Sequence, residues 1–240
     1  IRTMLEIEAF LDIHQRWQQV GYPFDHLVPS LATAIGSSGD RPAALAELVG
    51  TILNDGVRQP PLRIDSLHFA AATPYDTRVV NDPDRGKRVM PSAVATALRA
   101  ALSQVVDAGT AKRVAGSFKL ADGTPLTMGG KTGTGDNRIE AVGAGGRILS
   151  SKSINRTATF VFYIGDQHFG TLTAFVPGSS AQNFTFTSAL PVQVLKGMAP
   201  ILSPYLQPGA HTLCQAPAST SVEYTQAPQP GVSYLSHAFE

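Results

Sequence analysis

A lysine and two threonines set among glycines carry the clearest chemistry in this chain. They lie in the stretch from Met128 to Gly135, which reads Met-Gly-Gly-Lys-Thr-Gly-Thr-Gly. Lysine supplies a positive charge, and each threonine supplies a hydroxyl on a residue type that favours strands. Glycine leaves room for another backbone to approach closely. The stretch therefore predicts a strand that binds an extended anionic ligand.

A phosphate-binding loop is the first alternative, because Gly130-Lys131-Thr132 matches the end of a Walker motif. That motif requires a glycine five residues before Gly130, and Pro125 occupies this position. A phosphate loop also opens a helix, whereas this stretch continues with glycine-rich sequence, which is a poor helix former. The residues therefore argue against a nucleotide site.

Composition excludes several classes of function. The net charge is +1 and 43% of the 240 residues are apolar, so no nucleic acid partner is expected. The single cysteine, Cys214, excludes an internal disulfide and a cysteine-based zinc site. The histidines lack metal-ligand spacing, and we expect neither a metal nor a cofactor. No apolar run reaches the roughly 18 residues of a membrane-spanning helix.

Helix signals occur at four places. Capping residues or prolines near Thr3, Asp40, Pro91 and Thr187 each precede apolar residues at helical spacing. In the third helix one face is predicted to be buried, and it consists of Val94, Leu98, Ala101, Leu102 and Val105. Pro200 is predicted to end the fourth helix.

Antiparallel strands are predicted in the second half of the chain. A strand from about Leu126 carries Lys131, and a hairpin follows, formed by Thr157 to Ile164 and Phe169 to Val176. The span between the first strand and this hairpin is predicted to be flexible. Beyond residue 203 the sequence is rich in Pro, Ser, Thr, Gln and Ala, which predicts a poorly ordered tail over residues 203–240.

Several stretches together resemble the penicillin-binding proteins and serine β-lactamases. Lys131-Thr132-Gly133-Thr134 is similar to their third signature, a Lys-Thr-Gly triad on a strand. Val28 to Ala32, Asn54 to Arg58 and Val105 to Ala111 resemble segments of the bifunctional penicillin-binding proteins. The resemblance covers residues 1–202 and implies the C-terminal part of a transpeptidase domain. The implied fold is α+β, an antiparallel sheet flanked by helices and incomplete on its N-terminal side.

The resemblance also implies roles for single residues. Lys131 and the hydroxyls of Thr132 and Thr134 would hold the terminal carboxylate of a D-Ala-D-Ala stem peptide or of a β-lactam. Charge-assisted hydrogen bonds of this kind contribute about 1.5 to 3 kcal/mol each. Gly133 would let the ligand backbone approach, and the backbone N–H of Thr134 would form half of the oxyanion hole, which is its catalytic role.

The serine nucleophile of the family is not found in this chain. The family uses Ser-x-x-Lys, and none of the lysines here has a serine three residues before it. Ser153-Ile154-Asn155 has the letters of the second signature, Ser-x-Asn, but follows the third signature instead of preceding it, and we interpret it as a coincidence. The isolated chain is therefore expected to be inactive.

The missing motifs are expected before Ile1, in the N-terminal part of the same protein. Any glycosyltransferase domain and membrane anchor are expected there too, which implies a periplasmic or extracytoplasmic location. Two alternatives stay open: a non-catalytic relative that keeps the strand as a recognition or scaffolding module, and a D,D-carboxypeptidase or serine β-lactamase. A Ser-x-x-Lys motif in the preceding sequence would leave the scaffold hypothesis without support.

Overall fold

Four helices and seven strands are present in the part of the chain that the computed structural model describes, residues 2–36, 38–64, 66–80 and 86–209. The helices are α1 (Arg2–Gln19), α2 (Pro42–Leu53), α3 (Ser92–Asp107) and α4 (Ala189–Leu202). The strands are β1 (Val57–Arg58), β2 (Ser66–Phe69), β3 (Thr77–Val80), β4 (Lys87–Arg88), β5 (Met128–Val142), β6 (Ile148–Ile164) and β7 (His168–Pro177).

The central feature is an antiparallel sheet in the order β5-β6-β7. Lys131 lies opposite Val161 in the β5–β6 ladder, and Phe160 lies opposite Leu172 in the β6–β7 ladder. β1 pairs with β4 and β2 pairs with β3 in two further small sheets. The predicted α+β fold, an antiparallel sheet flanked by helices, is confirmed, and so is the hairpin that forms β6 and β7.

Each face of the sheet packs against a different set of helices, because successive side chains on a strand point to opposite faces. One face supplies Met128, Phe160 and Ile164 to a cluster with Val192 and Leu195 of α4. The other face supplies Val161 and Tyr163 to a cluster with Val49 of α2, against which Leu102 of α3 packs. The sheet therefore lies between α4 and α2.

Two predictions about irregular regions are wrong. The span after Lys131 is not flexible coil: β5 and β6 continue as a paired ribbon to Val142 and Ile148, with register shifts at Asn137/Arg138 and Ala141/Val142. α4 also runs past Pro200 to Leu202, where the Leu202 side chain packs against the core.

The predicted tail starts too early. Ser203–Leu206 form a 3-10 helix, and Leu206 packs against the same core as α4. The Gln207 side chain accepts a hydrogen bond from the Ala121 N–H at 2.8 Å and donates one to the Lys119 carbonyl at 3.3 Å. Apolar burial and these contacts hold residues that composition alone assigns to the tail. The rest of the predicted tail, residues 210–240, lies outside the described residues.

α1 carries much of its apolar surface on the outside. Leu5 and Leu11 are 60% and 57% exposed, and Trp17 contacts the ring of Tyr22 edge-on at 5.4 Å. Within the described residues, none of the helices combines the length and the hydropathy needed to cross a membrane.

Candidate functional site

The predicted site residues occupy consecutive positions of β5, at an edge of the three-stranded sheet. β5 pairs with β6 on one side, and among the described residues no strand pairs with its other side. Thr132 and Thr134 point to one face and Lys131 points to the other, as strand alternation requires. A free strand edge can accept an extended peptide alongside it.

The glycines of the stretch serve two different purposes. A Cβ atom on Gly129 or Gly130 would come within 3.0 Å of Tyr163 or of the Val161 carbonyl, so these two glycines are required by packing inside the sheet. A Cβ atom on Gly133 would meet nothing within 4 Å. Gly133 is thus the position where space for a ligand is open.

The Lys131 ammonium binds the backbone of its own strand. Its Nζ donates a hydrogen bond to the Thr132 carbonyl at 2.7 Å, while the residue remains exposed to solvent. An ammonium has three N–H donors. This contact therefore fixes the position of the charge and leaves donors for an anionic ligand.

The Thr132 side chain is held by a residue from another element. Thr132 is 8% exposed, and its Oγ1 lies 2.7 Å from Oγ1 of Thr110, with either atom able to donate. Thr110 follows the C-terminal end of α3. Sequence reasoning assigned no role to Thr110, although it falls within Val105 to Ala111, a stretch that resembles the bifunctional proteins.

The Thr134 side chain is held by a backbone group that precedes α4. Its Oγ1 accepts a hydrogen bond from the backbone N–H of Ser188 at 3.0 Å, immediately before α4. Because the oxygen acts as acceptor in this bond, the hydroxyl proton remains available to a different acceptor. Only the folded structure brings Ser188 to this strand.

A largely buried arginine supports the loop that contains Ser188. Arg156 lies opposite Asp136 in the ladder, and its side chain is 14% exposed. Its Nε and Nη2 both donate to the carbonyl of Phe186, at 2.9 and 2.7 Å, and the guanidinium lies 5.5 Å from the centre of the Phe186 ring. No sequence motif marked Arg156 as part of the site.

Tyr163 fills the space beside Gly129 from the neighbouring strand. Its hydroxyl donates to the Arg99 carbonyl at 3.2 Å, and burial raises the pKa of this phenol. Tyr163 therefore stays protonated at neutral pH and has a packing role.

Ser153 lies far along β6 from the lysine. It pairs with Arg138, seven positions beyond Lys131, which corresponds to about 23 Å along the strand. The structure thus does not bring the Ser153-Ile154-Asn155 sequence to Lys131. Among the described residues, no three His, Cys, Asp or Glu side chains converge in a way that could hold a metal ion.

Comparison with known proteins gives a family match and a set of similar folds. A sequence model described as the penicillin binding protein transpeptidase domain matches residues 12–147, which is more than half of the chain. A search of curated proteins finds no significant match.

Two solved structures with TM-scores above 0.5 share the fold at low sequence identity. Penicillin-Binding Protein 1A from Haemophilus influenzae is 19% identical, with a TM-score of 0.58 over 86% of this chain and 33% of that one. The ceftriaxone acyl-enzyme complex of penicillin-binding protein A from M. tuberculosis is 19% identical, with a TM-score of 0.53 over 84% of this chain and 45% of that one. Penicillin binding protein 3 from Mycobacterium tuberculosis, complexed with aztreonam, is 18% identical, with a TM-score of 0.49 over 79% of this chain and 45% of that one. The chain thus spans less than half the length of these proteins.

Proposed function

Because the chain belongs to the penicillin-binding protein transpeptidase family, we propose that it supplies the carboxylate-binding strand of a serine D,D-transpeptidase. Such an enzyme cross-links peptidoglycan stem peptides and is acylated by β-lactams. The observation that carries the proposal is the free edge of β5, where Lys131, Thr132 and Thr134 follow one another and each side chain is held by a defined partner.

The strand binds the terminal carboxylate of the ligand. The ammonium of Lys131 supplies the opposite charge, and the hydroxyls of Thr132 and Thr134 supply neutral donors. The open space at Gly133 lets the ligand backbone lie against the strand. The N–H of Thr134 donates to the oxyanion that develops on the attacked carbonyl, and a donor of this kind contributes about 2.7 to 4 kcal/mol to transition-state binding.

The attacking serine comes from residues outside this chain, since the 240 residues contain no Ser-x-x-Lys motif. Its oxygen forms a bond to the carbonyl carbon of the penultimate D-Ala, and the bond to the nitrogen of the terminal D-Ala breaks. The serine proton passes to the departing amine. An amine of a second stem peptide then displaces the serine oxygen, which takes a proton back from that amine.

The exposed apolar surface of α1 is consistent with a further segment of the same protein that packs against this helix. Leu5 and Leu11 lie on a helix whose apolar residues remain exposed in the described structure. Burial of such side chains against a serine-bearing segment would stabilise the assembled domain, at roughly 25 cal/mol per Å² of apolar area. The proposal places this segment before Ile1, in a bifunctional synthase that works outside the cytoplasm.

Fluorescent penicillin tests the proposal. We expect covalent labelling of the protein that contains this chain together with its preceding sequence, and no labelling of the 240-residue chain alone. Excess unlabelled penicillin should abolish the signal. Labelling of the isolated chain would show that its nucleophile is present after all. Absence of labelling in both preparations would favour the non-catalytic scaffold, which the missing Ser-x-x-Lys motif also allows.

A further inference from the structure

We propose that Arg156 is a positioning residue that fixes the hydroxyl of Thr134 through the loop preceding α4. The proposal deepens the function proposed above and rests on it, because it takes the Thr134 hydroxyl to be a donor to the ligand carboxylate. Arg156 itself contacts no ligand in this scheme. It acts two contacts away, through Phe186 and Ser188.

The first contact orients the hydroxyl. A threonine O–H rotates freely unless a partner restrains it. The Ser188 N–H donates to Oγ1 of Thr134 at 3.0 Å and so occupies the acceptor side of this oxygen. The proton must then point away from Ser188 and is available to an incoming carboxylate.

The second contact fixes the donor. Phe186 lies two residues before Ser188, and its carbonyl accepts two hydrogen bonds from Arg156, from Nε at 2.9 Å and from Nη2 at 2.7 Å. Two donors on a rigid planar group define the position of the carbonyl better than one donor on a flexible chain. The Phe186 ring also lies 5.5 Å from the guanidinium.

The arginine is anchored in the sheet. It lies directly opposite Asp136 on β5, and its Nη1 is 3.9 Å from the Asp136 carboxylate. Asp136 occupies the same face as Thr134, two positions further along. The side chain is 14% exposed, so its donors face the protein and not bulk water. Thus β5 carries the Thr134 hydroxyl, and the Asp136–Arg156 pair on β5 and β6 holds the loop before α4 that orients this hydroxyl.

Without Arg156, the Thr134 hydroxyl should form a weaker hydrogen bond to the ligand carboxylate. The expected loss of ligand binding is about two- to tenfold. Arg156→Gln removes the planar fork. Arg156→Lys keeps the positive charge but lacks the fork that donates twice to the Phe186 carbonyl. Arg138→Gln is the matched control, because Arg138 also contacts Asp136, at 3.0 Å, and has no hydrogen bond to Phe186 among its contacts.

The experiment measures the second-order rate of penicillin acylation in the protein that carries this chain with its preceding sequence. We expect Arg156→Gln and Arg156→Lys to lower the rate about two- to tenfold and Arg138→Gln to leave it unchanged. The loss should disappear in a Thr134→Val background and should be smaller for a penicillin methyl ester, which lacks the carboxylate charge. Thermal unfolding of each variant checks that it is folded.

Two results would overturn the inference. One is an unchanged rate in both folded variants. The other is a loss of the same size with Thr134→Val, since that would mean that Arg156 acts independently of the hydroxyl. Failure of the proposed function is distinguishable, because in that case the unsubstituted protein is not acylated at all.

Discussion

The hydroxyl oxygens of Thr110 and Thr132 lie 2.7 Å apart and join the end of α3 to the strand that carries Lys131. Thr132 is 8% exposed, so water has little access to this contact. When one of the two hydroxyls donates, the other is left with its own proton for a further acceptor. The pair therefore sets both the position and the donor capacity of Thr132.

Replacement of Thr110 tests this relationship. Thr110→Val removes the partner of a buried hydroxyl, and an unsatisfied buried group costs about 1 to 3 kcal/mol. We expect a lower melting temperature and a several-fold slower acylation by penicillin. Thr110→Ser keeps the hydroxyl and should restore most of both. The control is Thr96→Val, at an exposed position of α3. Equal effects of the valine and serine variants would contradict a role for the hydroxyl.

Lys131 should contribute to ligand binding through its positive charge. Lys131→Gln keeps most of the side-chain length and removes the ammonium that donates to the Thr132 carbonyl. Loss of one charge-assisted hydrogen bond predicts a fall in acylation rate of about 10- to 100-fold, with little change in stability because the residue is exposed. Lys119→Gln, also exposed, is the control. The rates are measured in the protein with its preceding sequence, and a rate within twofold of the unsubstituted protein would refute the assignment.

Alanine substitutions at Gly130 and Gly133 should distinguish a packing role from a role in ligand access. Gly130→Ala places a Cβ within 3.0 Å of the Val161 carbonyl and the Phe160 ring, and overpacking of this kind costs about 1 to 3 kcal/mol. Gly133→Ala places a Cβ in open space. We expect a lower melting temperature for Gly130→Ala alone, and slower acylation with an unchanged melting temperature for Gly133→Ala. Full activity of Gly133→Ala would mean that the ligand does not approach at this position.

Asp55 gives a pH-dependent prediction. The Ser92 hydroxyl donates to one carboxylate oxygen at 2.5 Å and Arg88 lies 3.2 Å from the other, and these contacts lower the pKa of Asp55. A lowered pKa in the folded state stabilises the protein above the ordinary carboxyl pKa of about 4, and this contribution is lost as the pH falls through the lowered value.

Asp55→Asn should therefore reduce stability at neutral pH, and its difference from the unsubstituted protein should vanish on acidification. Urea unfolding midpoints measured between neutral and acidic pH test this expectation. Asp25→Asn, at an exposed position after α1, is the control. A difference that stays constant over the whole pH range would show that the Asp55 charge is not responsible.

Local patterns predicted the four helices and the strands of the central sheet, but only part of the buried face of α3, where Leu102 and Val105 pack against the core. In α3 the predicted face includes Val94 and Leu98, which are 45% and 39% exposed, whereas Ala95 and Val106 are fully buried. Helical periodicity shows which residues share a face. Where that face lies relative to the sheet depends on the packing of α2, α3 and the strands, which local sequence does not contain.

The sequence by itself determined which chemical groups the candidate site contains: an ammonium and two hydroxyls on one strand, set among glycines. Residue type and strand propensity are local properties, so they could be read from Met128 to Gly135 alone. Only the tertiary structure decided how these groups are held. Thr110 is 22 residues from Thr132, and Ser188 is 54 residues from Thr134. Such pairs meet because α3 and α4 pack near the same strand, and the orientation of a hydroxyl depends on the partner that packing brings to it.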